Sequence, residues 1–465
     1  MPGARLRLSD RPPPTLICCH DLPSYPAIEP SVPDGHRMTR VEDGPSRKST
    51  IAGRQAASVG LASIASAAAG YLVIWFVPRV LNKADNAEFL AFWSALFLLF
   101  GILGGLQTEI IRHVSAQGVD PGRGHESAKD YKTVPLFVVV SGIAGCVALL
   151  LVLSSFLWGP AVLGPNWLVL VIVLAIASVA FSVHAALAGV LSGRNHWGKF
   201  SALVASESTF RFFLVLIVGL LAGSTIGLAA AAGAGAFAWV LVSVFSPPVR
   251  AAFGQPLDVP IGEFARKVGH ASVSTAASAT LVVGFPILYR ITTPPDVYMT
   301  SAPLLLAILL TRAPLMVPLG TFQNVAIAHF VRHRNRGLWA LRPIAFSIAA
   351  VAAAGAVAAY FLGPWLMVLL FGPEYHVAPS VLAGLTVAAA GLALLTMTGG
   401  MCVALNRHRV SSTGWVSASA VSLLILVMPL NADVRAVISL LVGPLIGVLI
   451  HTLTLSRAQV VAASS

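Results

Sequence analysis

Apolar residues in this chain form long, nearly unbroken runs separated by short polar stretches. A helix that crosses the hydrocarbon core of a bilayer needs about 20 apolar residues. Twelve runs reach that length: 54–78, 88–111, 134–158, 166–190, 201–223, 225–246, 268–290, 301–327, 343–362, 376–404, 413–430 and 434–455. The pattern therefore predicts an all-α integral membrane protein with about twelve transmembrane helices.

The basic residues between these runs predict how the chain is oriented. With the N-terminus placed in the cytoplasm, sixteen Lys and Arg residues fall in inside loops, and only Arg79, Lys83, Arg290 and Arg435 fall outside. Cytoplasmic loops of membrane proteins carry such an excess of positive charge. The sequence thus predicts an even number of spans, with both termini in the cytoplasm.

The order of features repeats once along the chain. Each half opens on a basic residue before a small-residue helix, has two Gly-Pro steps after its third run, and ends its fourth run in an Arg/Asn/His cluster. Both halves start on the same side, which predicts parallel pseudo-repeats related by an axis along the membrane normal. The predicted parts are a six-helix bundle at 52–246, a cytoplasmic linker at 247–265, a second six-helix bundle at 266–456 and a cytoplasmic tail at 457–465.

Composition supports membrane residence and sets the N-terminal residues apart. Hydrophobic residues make up 57% of the chain and charged residues 10%, with a mean hydropathy of +0.83. Residues 1–51 are rich in proline and mixed charge, which predicts a disordered cytoplasmic tail, and Met38 is a candidate for the true start of translation. The net charge of +12 lies mostly in loops, so we expect membrane lipid and no nucleic acid as a partner.

The sequence contains none of the motifs that would indicate an enzyme. Paired carboxylates at a helix mouth, a nucleophile elbow, a phosphate-binding loop and His/Cys metal spacing are all absent from it. We therefore expect no catalytic residues, no metal and no cofactor. A membrane-embedded glycan polymerase or ligase is a weaker alternative, because its large external loop has no counterpart here.

Two arginines lie deep within predicted spans and are the main candidates for a binding site. Arg211 falls about ten residues into the fifth span and Arg312 about eleven into the eighth, one in each half. A charge at the bilayer centre costs at least about 2.5 kcal/mol, so such residues usually face a cavity or a partner. We predict that both flank a central cavity and attract an anionic group such as a phosphate.

Each candidate also has a structural interpretation. Glu207 precedes Arg211 by one helical turn, so the two could form an intrahelical ion pair that only neutralises the site. Arg312 has no acidic neighbour at helical spacing, and Pro314 and Pro318 follow it. Three further polar residues could line a polar route or take up a proton, with hydrogen bonding between helices or simple packing as the alternative: Gln323, Asn324 and His184.

Short motifs in both halves resemble a known transporter family. The stretch 370–375 (LFGPEY), the stretch 404–409 (ALNRHR) and the stretch 77–82 (VPRVLN), with Glu88-Phe89 after it, are similar to bacterial polysaccharide flippases. These belong to the multidrug/oligosaccharidyl-lipid/polysaccharide (MOP) exporter superfamily, whose fold is MATE-like. The resemblance covers residues 52–456 and is more specific for the superfamily than for any cargo.

The resemblance implies a V-shaped transporter of two six-helix bundles that works by alternating access in the bacterial plasma membrane. Its implied cargo is a polyprenyl-diphosphate-linked oligosaccharide for envelope polysaccharide biosynthesis, with polysaccharide assembly proteins as possible partners. Members with strongly basic cavities carry several basic residues, whereas this chain has two deep arginines. A cation-coupled exporter of small molecules or drugs from the same superfamily is therefore the alternative.

Overall fold

The computed structural model describes residues 47–119, 134–316, 339, 341–405 and 407–464. Residues from Thr50 onward form one compact unit. Apart from one pair of two-residue strands, the regular structure within the described ranges is helical, which confirms the all-α prediction. The predicted disordered tail lies almost entirely outside the described residues, so that prediction stays open.

The first half of the chain contains six predicted spans, and each of them is helical. The sixth is interrupted by a 3-10 turn at Gly235–Phe237. The helices are α1 (Arg47–Phe76), α2 (Lys83–Val119), α3 (Leu136–Leu163), α4 (Trp167–Gly193), α5 (Trp197–Leu221), α6 (Thr225–Ala234) and α7 (Ala238–Phe245), and the short α8 (Pro247–Ala252) follows. The fifth and sixth spans are separate helices, because Gly223 has a positive φ of 54° and Ser224 caps α6.

The second half is helical as well, but its first span is broken. Its helices are α9 (Ile261–Val282), α10 (Phe285–Ile291), α11 (Pro295–Met299), α12 (Ala302–Met316), α13 (Arg342–Phe371), α14 (Pro379–Ala404), α15 (His408–Leu426) and α16 (Ala432–Ser464). The part of the predicted eighth span beyond Met316 lies outside the described residues, as do Pro318, Gln323 and Asn324.

The lengths and surfaces of these helices fit a bilayer. In the described ranges ten helices are long and apolar enough to cross a membrane, and the bent pair α9–α10 makes eleven. The apolar α12 lies where the remaining span is predicted. Helix α13 exposes large side chains such as Phe346 (77%) and Phe361 (73%), as expected of a helix that faces lipid.

The predicted span 268–290 was expected to be one helix, and this prediction was wrong. Helix α9 ends at Val282 and α10 begins at Phe285, with a bend of 71° between them. Pro286 occupies the first turn of α10, where its missing N–H group costs no hydrogen bond but prevents a continuous helix. The break leaves the last carbonyl groups of α9 without partners on their own helix.

The Gly-Pro steps were expected to lie between helices, and half of them do not. Pro160 lies inside α3 and Pro364 inside α13, so these helices continue past their predicted ends at residues 158 and 362. Both helices end instead at a glycine of positive φ, Gly164 (72°) and Gly372 (109°). The two halves therefore share this detail of backbone conformation at equivalent places.

The proline-rich linker is attached to the first half by hydrogen bonds. Pro256–Leu257 pairs as an antiparallel strand (β2) with Val134–Pro135 (β1) at the start of α3. Asp258 accepts a hydrogen bond from Gln117 at 2.9 Å, and Gln255 donates to the same glutamine at 2.7 Å. The sequence predicted a linker here, but nothing in it indicated that the linker binds to the first half.

The two halves pack together most closely where α2 crosses α9. A Cβ atom on Gly105 would lie 2.3 Å from the backbone nitrogen of Ser272, and one on Gly101 would lie 2.7 Å from the Ala279 Cβ. Thr275 donates its hydroxyl to the Ile102 carbonyl at 3.2 Å. Small residues at such a crossing let two membrane helices approach closely.

Candidate functional site

A chamber of about 460 Å³ lies between the two halves of the chain. The first half contributes most of its wall through α1, α2 and α5, and the second half contributes Val283, Leu309 and Met316. Because membrane transporters with internal repeats bind cargo at the interface of the repeats, this chamber is the candidate functional site. Its polar and aromatic lining includes Ser63, Ser66, Tyr71, Trp93, Ser208 and Arg211.

A second cavity of about 480 Å³ adjoins the chamber. Phe97 and Val283 line both spaces, so the two cavities share a wall. Gln107, His184 and Glu207 supply polar groups to the second cavity, and α9 adds the hydroxyl groups of Thr275 and Ser278. Polar groups of both halves therefore also line this second space.

Arg211 and Glu207 form an ion pair between these two cavities. They are one turn apart on α5, with Arg211 Nη2 on Glu207 Oε1. Only 2% of Arg211 and 8% of Glu207 is exposed. Ser208 donates its hydroxyl to Glu207 Oε2 at 3.1 Å. The ion pair expected from the spacing is therefore present, and Arg211 also lines the chamber, while its attraction for an anionic group stays a prediction.

Aromatic rings surround the Arg211 guanidinium. Its central carbon lies 4.7 Å from the ring centroid of Phe97, 5.2 Å from that of Phe100 and 5.9 Å from that of Trp93. Cation–π attraction of this kind contributes about 2 kcal/mol when the cation is removed from water. These rings are supplied by α2, and they help to offset the cost of burying the charge.

The backbone of the sixth span makes room for Arg211. A Cβ atom on Gly235 would lie 2.6 Å from the Arg211 Cβ and 2.9 Å from its Nε, so glycine is needed there. Arg211 Nε and Nη1 are buried without a hydrogen-bond partner among the described residues. A guanidinium has five N–H donors, so an anion could bind these unused donors once the buried side chain becomes accessible from the chamber.

Arg312 is also buried, and its guanidinium binds the carboxyl end of a neighbouring helix. Nη1 donates to the carbonyls of Leu281 at 3.1 Å and Val282 at 3.0 Å, the last two residues of α9. Its charge therefore lies at the negative end of a helix dipole and satisfies carbonyls freed by the break. Arg312 is not among the residues that line the chamber, so its predicted attraction for an anionic group stays a prediction.

Of the three remaining candidates, only His184 lies within the described residues. His184 faces the second cavity, and its ring lies 5.3 Å from that of Phe181 in a stacked arrangement. Its Nδ1 is buried without a hydrogen-bond partner in the part of the chain that the structure describes. Gln323 and Asn324 lie outside that part, so their placement stays a prediction.

Hydrogen bonds also join the two halves at the end of the molecule that the sequence predicts to be outside. The Tyr298 hydroxyl donates to the Ala87 carbonyl at 3.0 Å, and Asn86 Nδ2 donates to the Tyr375 hydroxyl at 3.2 Å. Burial raises the pKa of both tyrosines above the ordinary value. No signal in the sequence pointed to Asn86 or Tyr298, because such contacts depend on how two distant segments meet.

Relatives of similar length are found in mycobacteria, whereas no protein-family model matches the chain. The chain is 37% identical to uncharacterized protein Rv3630 of Mycobacterium tuberculosis over 411 residues, or 88% of this chain and 94% of that protein. It is 36% identical to uncharacterized protein Rv1510 of the same organism over 408 residues, or 88% and 93%. Identity at this level over nearly the whole length shows common descent.

Solved structures with the same fold are MATE transporters. An inward-facing multidrug resistance MATE family transporter of the MOP superfamily matches with a TM-score of 0.64, at 12% identity over 87% of this chain and 96% of that one. MATE multidrug transporter DinF-BH, solved in complex with rhodamine 6G, matches with a TM-score of 0.61, at 11% identity over 91% and 98%. The chain belongs to the family of Rv3630 and Rv1510, and it is a multi-pass membrane protein with the fold of the MATE transporters.

Proposed function

We propose that this protein is a flippase that moves a polyprenyl-diphosphate-linked oligosaccharide across the bacterial plasma membrane by alternating access. The MATE fold supports transport as the general activity. The charge bias of the loops supports cytoplasmic termini. The motifs shared with polysaccharide flippases support a role in envelope polysaccharide biosynthesis, with glycan assembly proteins as partners.

The observation that supports the proposal most is that Arg211, at the wall of a chamber between the halves, has two guanidinium nitrogens without a hydrogen-bond partner among the described residues. Arginine binds phosphate oxygens through its planar fork of donors, and a diphosphate offers several such oxygens. The serine hydroxyls of the chamber suit hydrogen bonding to sugars, and the rings of Tyr71 and Trp93 suit stacking against them.

The size of the chamber fits part of such a cargo. Pockets for small ligands usually measure about 300–1,000 Å³, and 460 Å³ lies within that range. A diphosphate with its first sugar is of this size, whereas a polyprenyl tail is far larger. We therefore place only the head of the lipid in the chamber, while its tail stays in the surrounding bilayer.

An exporter of small organic cations is the second candidate, and the Glu207 carboxylate is the observation that favours it. Because this carboxylate neutralises Arg211, the chamber carries little net charge while the pair is intact. Its aromatic rings could then hold a flat cation. The DinF-BH structure with rhodamine 6G shows a molecule bound by a protein of the same fold.

Transport by purified protein in liposomes tests the first proposal against the second. We expect the double variant Glu207→Gln/Arg211→Gln to translocate a fluorescent polyprenyl-diphosphate sugar at least about tenfold more slowly than wild type, the effect of losing one charged contact. Changing both residues avoids leaving one buried charge unpaired. Protection of the fluorophore from dithionite on the outer leaflet measures the rate.

The chain supplies a matched control for this experiment. Glu109 and Arg112 form a similar pair on α2, in which the Arg112 side chain is 64% exposed. The variant Glu109→Gln/Arg112→Gln should therefore keep wild-type transport. Wild-type rates in the α5 double variant would remove the chamber assignment, and efflux of rhodamine 6G without movement of the glycolipid would favour the second candidate.

A further inference from the structure

The two residues of the ion pair on α5 line different cavities. Glu207 lines the cavity of about 480 Å³, and Arg211 lines the chamber of about 460 Å³. The carboxylate can thus exchange a proton with water in one space while the guanidinium meets a ligand in the other. In an ion pair buried in a fully packed core, the two side chains would not line separate cavities.

An anion in the chamber would have to compete with Glu207 for the same guanidinium. Arg211 Nη2 contacts the Glu207 carboxylate, whereas Nε and Nη1 have no hydrogen-bond partner among the described residues. A phosphate on those two nitrogens would lie close to the carboxylate, and two negative charges side by side in a buried site repel strongly. Protonation of Glu207 removes this repulsion and leaves Arg211 fully available.

Other groups near the pair do not compensate the charge of Glu207. On α5 itself, Ser208 donates a neutral hydroxyl to the carboxylate. The adjoining cavity brings His184 from α4, Gln107 from α2, and the hydroxyls of Thr275 and Ser278 from α9. Among the described residues of that cavity, His184 is the only other side chain of a type that titrates near neutral pH.

We propose that Glu207 is a proton-binding site whose protonation is linked to binding of an anionic phosphate group at Arg211. The inference rests on the proposed function and adds its coupling: one proton passes from water to a Glu207 carboxylate oxygen, the ion pair opens, and the phosphate replaces the carboxylate on the guanidinium. The proton comes from a hydronium ion, so one O–H bond of that ion breaks as the carboxyl O–H bond forms, and no other covalent bond changes. The loaded site thus carries a proton together with the anion, and raising the pH releases both.

Calorimetric titration of the purified full-length protein with farnesyl diphosphate tests this linkage. Measurements between about pH 7.5 and 9.5 keep the probe fully ionised, because its last phosphate proton titrates near pH 6. Wild-type affinity should fall by up to about tenfold per pH unit, the slope for one linked proton. Glu207→Gln should bind at least about tenfold more tightly than wild type at pH 9 and lose the pH dependence, whereas Glu109→Gln should behave like wild type.

A second measurement needs no variant and covers the case in which Glu207→Gln fails to fold. Titrating wild type in two buffers of different ionisation enthalpy at one pH gives the number of protons taken up per ligand, and we expect a value approaching one. Binding without proton uptake, or with equal pH dependence in wild type and Glu207→Gln, would overturn the linkage but leave the flippase proposal standing. Absence of any farnesyl diphosphate binding in either protein would overturn both.

Discussion

Replacing Gly105 with alanine should destabilise the folded protein by about 3 kcal/mol, the upper range for an overpacked site. The new Cβ would lie 2.3 Å, 2.5 Å and 2.7 Å from three backbone atoms of Ser272 and Ala271. Backbone atoms cannot rotate away as a side chain can, so α2 and α9 must separate. Thermal unfolding of the purified protein in detergent measures the loss, and transport should fall with it because this crossing joins the two halves.

The neighbouring residue provides the control for this substitution. A Cβ on Gly104 would meet nothing within 4 Å, so Gly104→Ala should be neutral or stabilise α2 by up to about 1 kcal/mol through helix propensity. Equal unfolding temperatures for the two variants would show that the close α2–α9 crossing is not a feature of the folded protein.

Replacing Arg312 with methionine should destabilise the protein by about 2 kcal/mol, because two buried carbonyl groups at the end of α9 lose their donor. The variant no longer pays the desolvation cost of burying a charge, which offsets part of this loss. The expected loss of folding free energy is therefore smaller than that of two charged hydrogen bonds. We also expect transport to decline, since the 71° break between α9 and α10 shapes the chamber wall at Val283. Unfolding midpoints and liposome transport measure the two effects.

Lys267→Met is the control, because Lys267 and Glu263 form an exposed ion pair on the surface of α9, with side-chain exposures of 38% and 40%. It should change the free energy of unfolding by less than about 1 kcal/mol, as loss of a surface ion pair usually does. If Arg312→Met unfolds at the wild-type temperature yet abolishes transport, then Arg312 acts on the cargo as the sequence first suggested and the helix-capping role is secondary.

Hydropathy predicted the helices well, because each span must bury its own backbone hydrogen bonds in lipid and therefore needs a long apolar run. It could not locate helix ends at Gly-Pro steps. Gly-Pro steps usually indicate a helix end, so Pro160 and Pro364 were predicted to lie outside the helices. Because proline is tolerated inside a membrane helix, both helices continue and end later, at Gly164 and Gly372. The break after Val282 was missed for the opposite reason, since the residues on both sides of it are equally apolar.

At the site, a contact between two residues of one helix could be predicted from their spacing in the sequence. Contacts between different helices could not. Glu207 and Arg211 are four residues apart, and that alone predicted their pairing. The partners of Arg312 depend on where α9 ends, which the sequence did not show. Gly235 and the rings of Phe97 and Phe100 lie beside Arg211 only because α2 and the sixth span pack against α5.

The docked linker limits where the chain can flex if one half moves against the other. Since Asp258 is bonded to Gln117 and α9 begins at Ile261, only Val259 and Pro260 lie between the anchor and the first helix of the second half. The proline ring fixes one backbone torsion of that pair. Rotation between the halves would therefore change the backbone conformation of only these two linker residues. A longer linker would weaken the coupling between opening at one face and closure at the other.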